Sequence, residues 1–216
     1  MKSIVAYPFE FNNLLFPQKS PAKTCGKLLA HYELFKKVKH LEGAIIKCGI
    51  TADEGFMRFT VLKDIISAPY NQKMVAFQRC GSFFEKEINS NGDVTLKVKT
   101  REEYTLSDEP PTLVKKGLKH KVEFVPGVVS DSIPAYLIEN PELKIAMLTI
   151  DLDDYEDTLT TLEFFYPRLV QGGILILDNY HKNLEEKFAV DRYFHPGRPR
   201  IKNFMVNKGP HYMVKP

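Results

Sequence analysis

Two short runs of apolar residues, Ile145 to Ile150 and Ile174 to Leu177, are almost uninterrupted and rich in β-branched side chains. Strict alternation marks a strand with one wet face, whereas an unbroken run marks a strand buried on both faces of a parallel sheet. Between the runs Leu159, Leu162, Phe165 and Leu169 recur at helical spacing, and Gly172-Gly173 reads as a turn. The stretch from Lys144 to Tyr180 is therefore a strand–helix–strand unit whose two strands finish side by side.

The patterning extends in both directions. Residues 1–20 are rich in aromatics, Asn and Pro without a clear period, and read as an arm lying over the domain or over a second copy in a homo-oligomer. Ser20 caps a helix with Pro21 in its first turn, running to about Lys39 with Leu28, Leu29, Tyr32, Phe35 and Val38 inward. A strand at Gly43 to Cys48 follows, then a turn at Gly49, a helix from about Glu54 to Ile66 and a strand at Lys73 to Phe77. From about Cys80 to Thr105 the chain is polar and irregular around Asn89-Ser90-Asn91-Gly92, which predicts either a substrate lid or a plain insertion.

A helix from Ser107 to Lys119, with Pro110-Pro111 in its first turn, precedes a strand at Val122 to Val125 and a helix around Ser132 to Glu139. Beyond Tyr180 a helix from Leu184 to Phe194 leads to two short runs, Arg200 to Val206 and His211 to Lys215, joined as a hairpin by Asn207-Lys208-Gly209-Pro210. The sum is an α/β fold of Rossmann-like order. It has a seven-stranded, mostly parallel sheet and a C-terminal antiparallel hairpin. Residues 1–42 are expected to form an arm and a helix packing on a domain of residues 43–216.

Composition narrows the function classes. At 216 residues, with 44% hydrophobic and 26% charged side chains, the chain has enough material for one full core. A net charge of +3 is too small for a dedicated nucleic-acid binder, and the basic runs at Lys36 to Lys39 and Lys115 to Lys119 read as solvated helix faces. Cys25, Cys48 and Cys80 form no CxxC or Cys/His cluster, so neither a disulfide framework nor a structural zinc is expected. No apolar run approaches the roughly 20 residues of a membrane span, and MKSIVAYPFEF lacks a signal-peptide core. The expectation is a soluble cytoplasmic protein with a small-molecule partner.

The chemistry sits at the strand ends. Asp151 is the first polar residue after one apolar run, and Asp178-Asn179 follow the other. In open α/β sheets ligands bind at this carboxyl edge. Oxygen donors from two neighbouring strand ends suit a hard divalent cation or another polar ligand. Asp after a strand also starts helices, and either Asp153 or Asp154 is expected to do so here.

The segments IDLDDYEDTLTTLEFFYPRLVQGGILILDNY and AVDRYF carry a resemblance. From roughly Gly43 to the C-terminus the chain resembles the TylF/MycF-type (macrocin O-methyltransferase-like) family of class I, S-adenosylmethionine-dependent sugar O-methyltransferases. That resemblance implies a Rossmann-like methyltransferase fold and transfer of a methyl group to a hydroxyl of a sugar, sugar conjugate or polyol. It also implies a magnesium ion held by Asp151, Asp178 and Asn179, the last being Asp in most of the family. Asp151 would serve as ligand and proton acceptor. His181 is the other candidate base, or else a plain surface histidine.

The cofactor half departs from the family. After the first strand, where the family reads approximately ECGVxxGxS, Lys47 replaces the acid, Gly49 is kept, and Asp53 replaces a glycine. Gln78 stands where an Asp would hold the ribose hydroxyls, and Val128 where an Asp would lie near the adenine. Losing a charge-assisted hydrogen bond costs about 1.5–3 kcal/mol. The alternative reading is thus a non-methylating homologue that has lost S-adenosylmethionine and keeps a metal- and substrate-binding half or takes another ligand. Lys47 would then attract an anion or pair with Asp53. A Rossmann dehydrogenase is excluded, because no GxGxxG follows the first strand.

Overall fold

The computed structural model describes residues 21–49, 59, 62, 63, 65, 66, 72–79, 83–88, 94–99, 122–197, 200–204 and 210–216. The expected Ser20 cap and the helix from Ser107 to Lys119 lie outside the described residues. So does most of the helix from Glu54, of which Phe59, Leu62, Lys63, Ile65 and Ile66 are seen as helical.

Strands β1 (Ala44–Cys48), β2 (Met74–Arg79), β5 (Val122–Gly127), β6 (Ile145–Ile150) and β7 (Leu169–Leu177) form the parallel part of one sheet. Strands β8 (Lys202–Asn203) and β9 (His211–Val214) complete it in the order β5-β2-β1-β6-β7-β9-β8, with β9 antiparallel to both neighbours. This is the expected seven-stranded sheet with its terminal hairpin.

Its apolar runs are explained by two cores. On one face Ile46, Cys48, Leu148, Leu175 and Leu177 pack against helices α2 (Val129–Glu139), α3 (Tyr155–Phe165) and α4 (Leu184–Tyr193). On the other, Ile45, Met147, Ile174 and Ile176 pack against α1 (Pro21–Val38) and the helical residues Phe59 and Leu62. Every residue of β1 and β6 is buried, as a strand with helices on both sides must be.

Three local expectations are corrected. The inward stripe of α1 is Ala30, His31, Leu34, Phe35 and Val38, while Leu29 and Tyr32 are exposed. The helix carries apolar residues on two overlapping stripes, and the sheet selects the one phased with Leu34. Residues 80–105 are not all irregular. Strands β3 (Phe83–Ile88) and β4 (Val94–Lys99) pair antiparallel as a separate two-stranded sheet, and VTLKVK alternates with period two as a half-buried strand does.

Leu169 does not continue α3, which stops at Phe165; it opens β7, and that strand runs on through Gly172-Gly173 instead of turning there. The strand absorbs the glycines as an irregularity. Gly172 sits at φ +76°, and the β6–β7 register shifts between Ile145 and Met147.

Candidate functional site

Five strand ends stand in a row along the carboxyl edge of the sheet. From β5 to β7 they bring Gly127-Val128, Gln78, Cys48-Gly49, Asp151 and Asp178. Backbone hydrogen bonds extend across this edge: Gly49 N to Phe77 O at 3.1 Å, Asp151 N to Cys48 O at 3.0 Å and Asp178 N to Ile150 O at 3.1 Å. The chain passes from β1 to β2 on one side, while β6 lies on the other, so the switch point of the sheet, where open α/β folds form their ligand crevice, lies beside Asp151.

Among the described residues, Asp151 accepts from two donors. Its Oδ2 accepts from Lys47 Nζ at 3.0 Å and its Oδ1 from Asn179 Nδ2 at 2.7 Å. Lys47 is 1% exposed, so its ammonium is satisfied inside the protein, against a carboxylate that keeps partial contact with solvent. Asp153 accepts from Asn183 Nδ2 at 3.2 Å and lies 3.5 Å from Asn179 Nδ2, which draws it toward the same switch point.

Of the two acids that could start α3, Asp154 does it, accepting from Asp157 N at 3.0 Å. Asp154→Ala should therefore lower stability by about 1 kcal/mol, whereas Asp153→Ala should stay within about 0.5 kcal/mol. Urea unfolding of the two variants checks the assignment.

Asp178 is differently placed. Its side chain is 4% exposed, and Oδ1 lies 3.7 Å from Lys27 Nζ on α1 but accepts no hydrogen bond from the described residues. Glu186, from the first turn of α4, is fully buried beside it. Its Oε1 accepts from Asn179 N at 3.2 Å, and its Oε2 is buried with no hydrogen-bond partner among the described residues. Burial pushes the Glu186 carboxyl up to about 9; the charges of Asp178, Asp151 and Asp153 add to that, and the Asn179 N–H pulls against it.

Sequence reasoning missed Glu186. Glu185 and Glu186 look like the ordinary acidic first turn of a helix, which Asn183 caps by accepting from both their N–H groups. Only the fold reveals that one of the two is buried against the site.

Among the described residues no three His, Cys, Asp or Glu side chains already stand in a metal-holding arrangement. The predicted trio, however, contains an amide. Asn179 presents its nitrogen to Asp151, and a half-turn of the amide would set its oxygen in that place, 2.7 Å from Asp151 Oδ1. Two oxygens side by side on an octahedral ion at about 2.1 Å lie about 3 Å apart. Asp178 Oδ1 is a buried oxygen that accepts no hydrogen bond from the described residues, which costs free energy until something occupies it.

The other predicted residues are placed as follows. Gly49 makes the turn out of β1 at φ +95°. Val128 precedes α2 as its cap residue, partly exposed and making no side-chain cap. Gln78 is placed by its backbone alone, opposite Pro126 in β5. Asp53, and with it the Lys47–Asp53 pairing, lies outside the described residues.

His181 is exposed and packs its ring edge-on against His211 with centroids 3.7 Å apart. Burial, together with the neighbouring His181, pushes the His211 pKa down. An open cleft of about 570 Å³ beside Gly43, Gln72 and Leu143 lies at the opposite, amino-terminal edge of the sheet. Its rim carries the exposed Lys144–Glu42 pair, and none of the candidate residues reaches it.

Residues 114–202 match the family model described as Macrocin-O-methyltransferase (TylF). Demethyldecarbamoylnovobiocin O-methyltransferase of Streptomyces niveus is 38% identical over 76 residues, 35% of this chain and 28% of that protein. Mycinamicin III 3''-O-methyltransferase of Micromonospora griseorubida is 38% identical over 63 residues, 29% of this chain and 23% of that protein. The matched segments thus span about a quarter of these relatives' lengths.

Among solved structures, that of a calicheamicin methyltransferase superposes with a TM-score of 0.73 at 22% identity, covering 99% of this chain and 87% of that one. The O-methyltransferase NovP gives 0.67 at 16% identity, covering 91% and 83%. At such identities the likeness establishes the fold: this is a Rossmann-like methyltransferase fold.

Proposed function

We propose that this chain, whose residues 114–202 match the TylF family model, transfers a methyl group from S-adenosylmethionine to a hydroxyl of a sugar or sugar conjugate, using a divalent cation at the carboxyl edge. The observation that carries this reading is the neighbouring pair of strand-end acids, Asp151 and Asp178, with a buried Asp178 oxygen that accepts no hydrogen bond from the described residues. Asp151, Asp178 and the Asn179 amide oxygen would hold the cation. Bound there, the cation would acidify a hydroxyl and S-adenosylmethionine would offer it the methyl group.

The protein's own part is positional. Lys47 fixes one face of the Asp151 carboxylate, and the bonds from Asp151 N to Cys48 O and from Asp178 N to Ile150 O hold both acids in register. Asp151 is the candidate proton acceptor, with His181 as the second. Lys47 replaces an acid in the cofactor half, yet its charge is balanced by Asp151. A cationic cofactor would thus meet a neutral pair.

The second reading, a homologue without S-adenosylmethionine, is favoured by that same buried lysine. Calorimetric titration with S-adenosylhomocysteine, with and without magnesium, separates the two. Micromolar binding is expected from the methyltransferase; no binding at millimolar ligand would leave the second reading. For the cation, magnesium should raise the melting temperature of the wild type but not of Asp178→Ala. An equal rise in both would remove Asp178 from the site.

A further inference from the structure

Both ends of the Asn183 side-chain amide are engaged, and they hold different parts of the chain. Its Oδ1 accepts from Glu185 N at 2.7 Å and from Glu186 N at 3.3 Å, which caps α4. Its Nδ2 donates to the carbonyl oxygen and to the carboxylate of Asp153, each at 3.2 Å. The neighbours fix this orientation: turned over, the amide would set its NH2 group against two backbone N–H donors. A helix cap needs only the oxygen. The nitrogen reaches a loop 30 residues away in the chain.

These bonds close a ring across the strand ends. Asn183 N donates to Asn179 O at 2.8 Å, which fixes the turn from β7 into α4. Asn179 Nδ2 donates to Asp151 Oδ1 at 2.7 Å. Leu152, between Asp151 and Asp153, is 1% exposed and anchors its loop in the core beneath α2, α3 and α4. The ring thus runs from Asp151 to Asp153, across to Asn183, back along the turn to Asn179 and across again to Asp151. It ties the loop after β6 to the turn after β7.

We infer that Asn183 is a positioning residue of this site: its amide clasps the loop after β6 to the start of α4 and so holds Asp151 and Asn179 at one fixed separation. The inference rests on the methyltransferase reading above and adds to it a residue that touches no reacting group. The bonds to Asp153 are exposed, so losing them costs little global stability. What they supply is order at the ligand edge. An edge that is binding-competent about a tenth of the time binds about 10-fold more weakly.

Asn, Asp and Ser are nearly equal as helix caps, which separates the two roles in the full chain. Asn183→Ser keeps an oxygen for the N–H groups of α4 but is too short to reach Asp153. Asn183→Asp keeps the cap and turns the donor into an oxygen facing the oxygens of Asp153. Both variants should melt within about 3 °C of the wild type. Both should bind S-adenosylhomocysteine about 10-fold more weakly by calorimetry, and exchange the amide hydrogens of residues 152–154 faster. Asp153→Asn added to Asn183→Asp returns a donor from the other side and should recover part of the affinity.

Wild-type affinity and exchange in both variants would make Asn183 a helix cap alone, overturning the inference and leaving the methyltransferase reading in place. Absence of recovery in the double variant also overturns it, because the loss then does not pass through Asp153. So does a melting temperature that falls in step with affinity, since a frayed helix explains both. Should one variant fail to fold, the other decides. A wild type that binds no S-adenosylhomocysteine at millimolar ligand overturns the methyltransferase reading, and the role of the clasp in it.

Discussion

Lys47→Glu should destabilise the protein by about 3–5 kcal/mol, since breaking a buried ion pair leaves an uncompensated charge inside. For a chain of this size that is a fall in melting temperature on the order of ten degrees. The reason lies in the placement of the side chain. Lys47 is 1% exposed and its ammonium stands 3.0 Å from Asp151 Oδ2, so the new carboxylate has no route to water and meets an acid where it needs a cation.

Lys47→Met removes the charge without adding repulsion and should lose less, because Asp151 keeps the Asn179 amide and partial contact with solvent. Adding Asp151→Lys to Lys47→Glu should recover part of the loss. Scanning calorimetry of the three variants checks the order. A Lys47→Glu protein within about 0.5 kcal/mol of wild type, the range of ordinary surface changes, would show that the pair is not formed in solution.

The sheet was legible in the sequence because burial on both faces forces a recognisable pattern. Ile145 to Ile150 and Ile174 to Leu177 have no polar side, and the structure shows helices on both sides of them. Asp151 and Asp178 were legible for the same reason: each is the first residue that breaks such a run.

What was not legible depends on tertiary partners. Glu186 follows Glu185 in the first turn of a capped helix, and nothing local distinguishes the buried acid from its exposed neighbour. Leu169 lies four residues after Phe165, a spacing that fits one more helical turn as well as a new strand; only pairing with Ile145 decides it. The phase of α1 was misjudged because Leu29 and Tyr32 are as apolar as the residues that pack. The short pair β3–β4 was hidden among charged residues, although its alternation was present to be read. For Lys47 the sequence showed an odd charge near the cofactor half, and the fold supplied Asp151 as a partner from a strand that is distant in the chain but adjacent in the sheet.

Gly49→Ala should be as damaging as any change to a charged residue of the site, although it alters no charged side chain. Gly49 sits at φ +95°, a left-handed backbone that costs a residue with a Cβ about 1–2 kcal/mol. A Cβ there would also lie 1.9 Å from the carbonyl oxygen of Asp151 and 2.5 Å from its carbonyl carbon. Backbone cannot swing aside as a side-chain tip can, so the ends of β1 and β6 must part, straining the bond from Asp151 N to Cys48 O. The combined loss should exceed about 3 kcal/mol, in the range reserved for strain at a special backbone position.

The control is Gly172→Ala. Gly172 also has a positive φ, +76°, but its added Cβ would meet only Leu41 Cδ1 at 3.9 Å. That variant should lose the conformational share alone, about 1 kcal/mol. Chemical denaturation compares them directly, and Mn²⁺ titration of whatever Gly49→Ala folds should show weakened binding, because the carboxylate of Asp151 moves with its backbone. Equal losses in the two variants would mean that the close approach of Gly49 to Asp151 does not hold the site together.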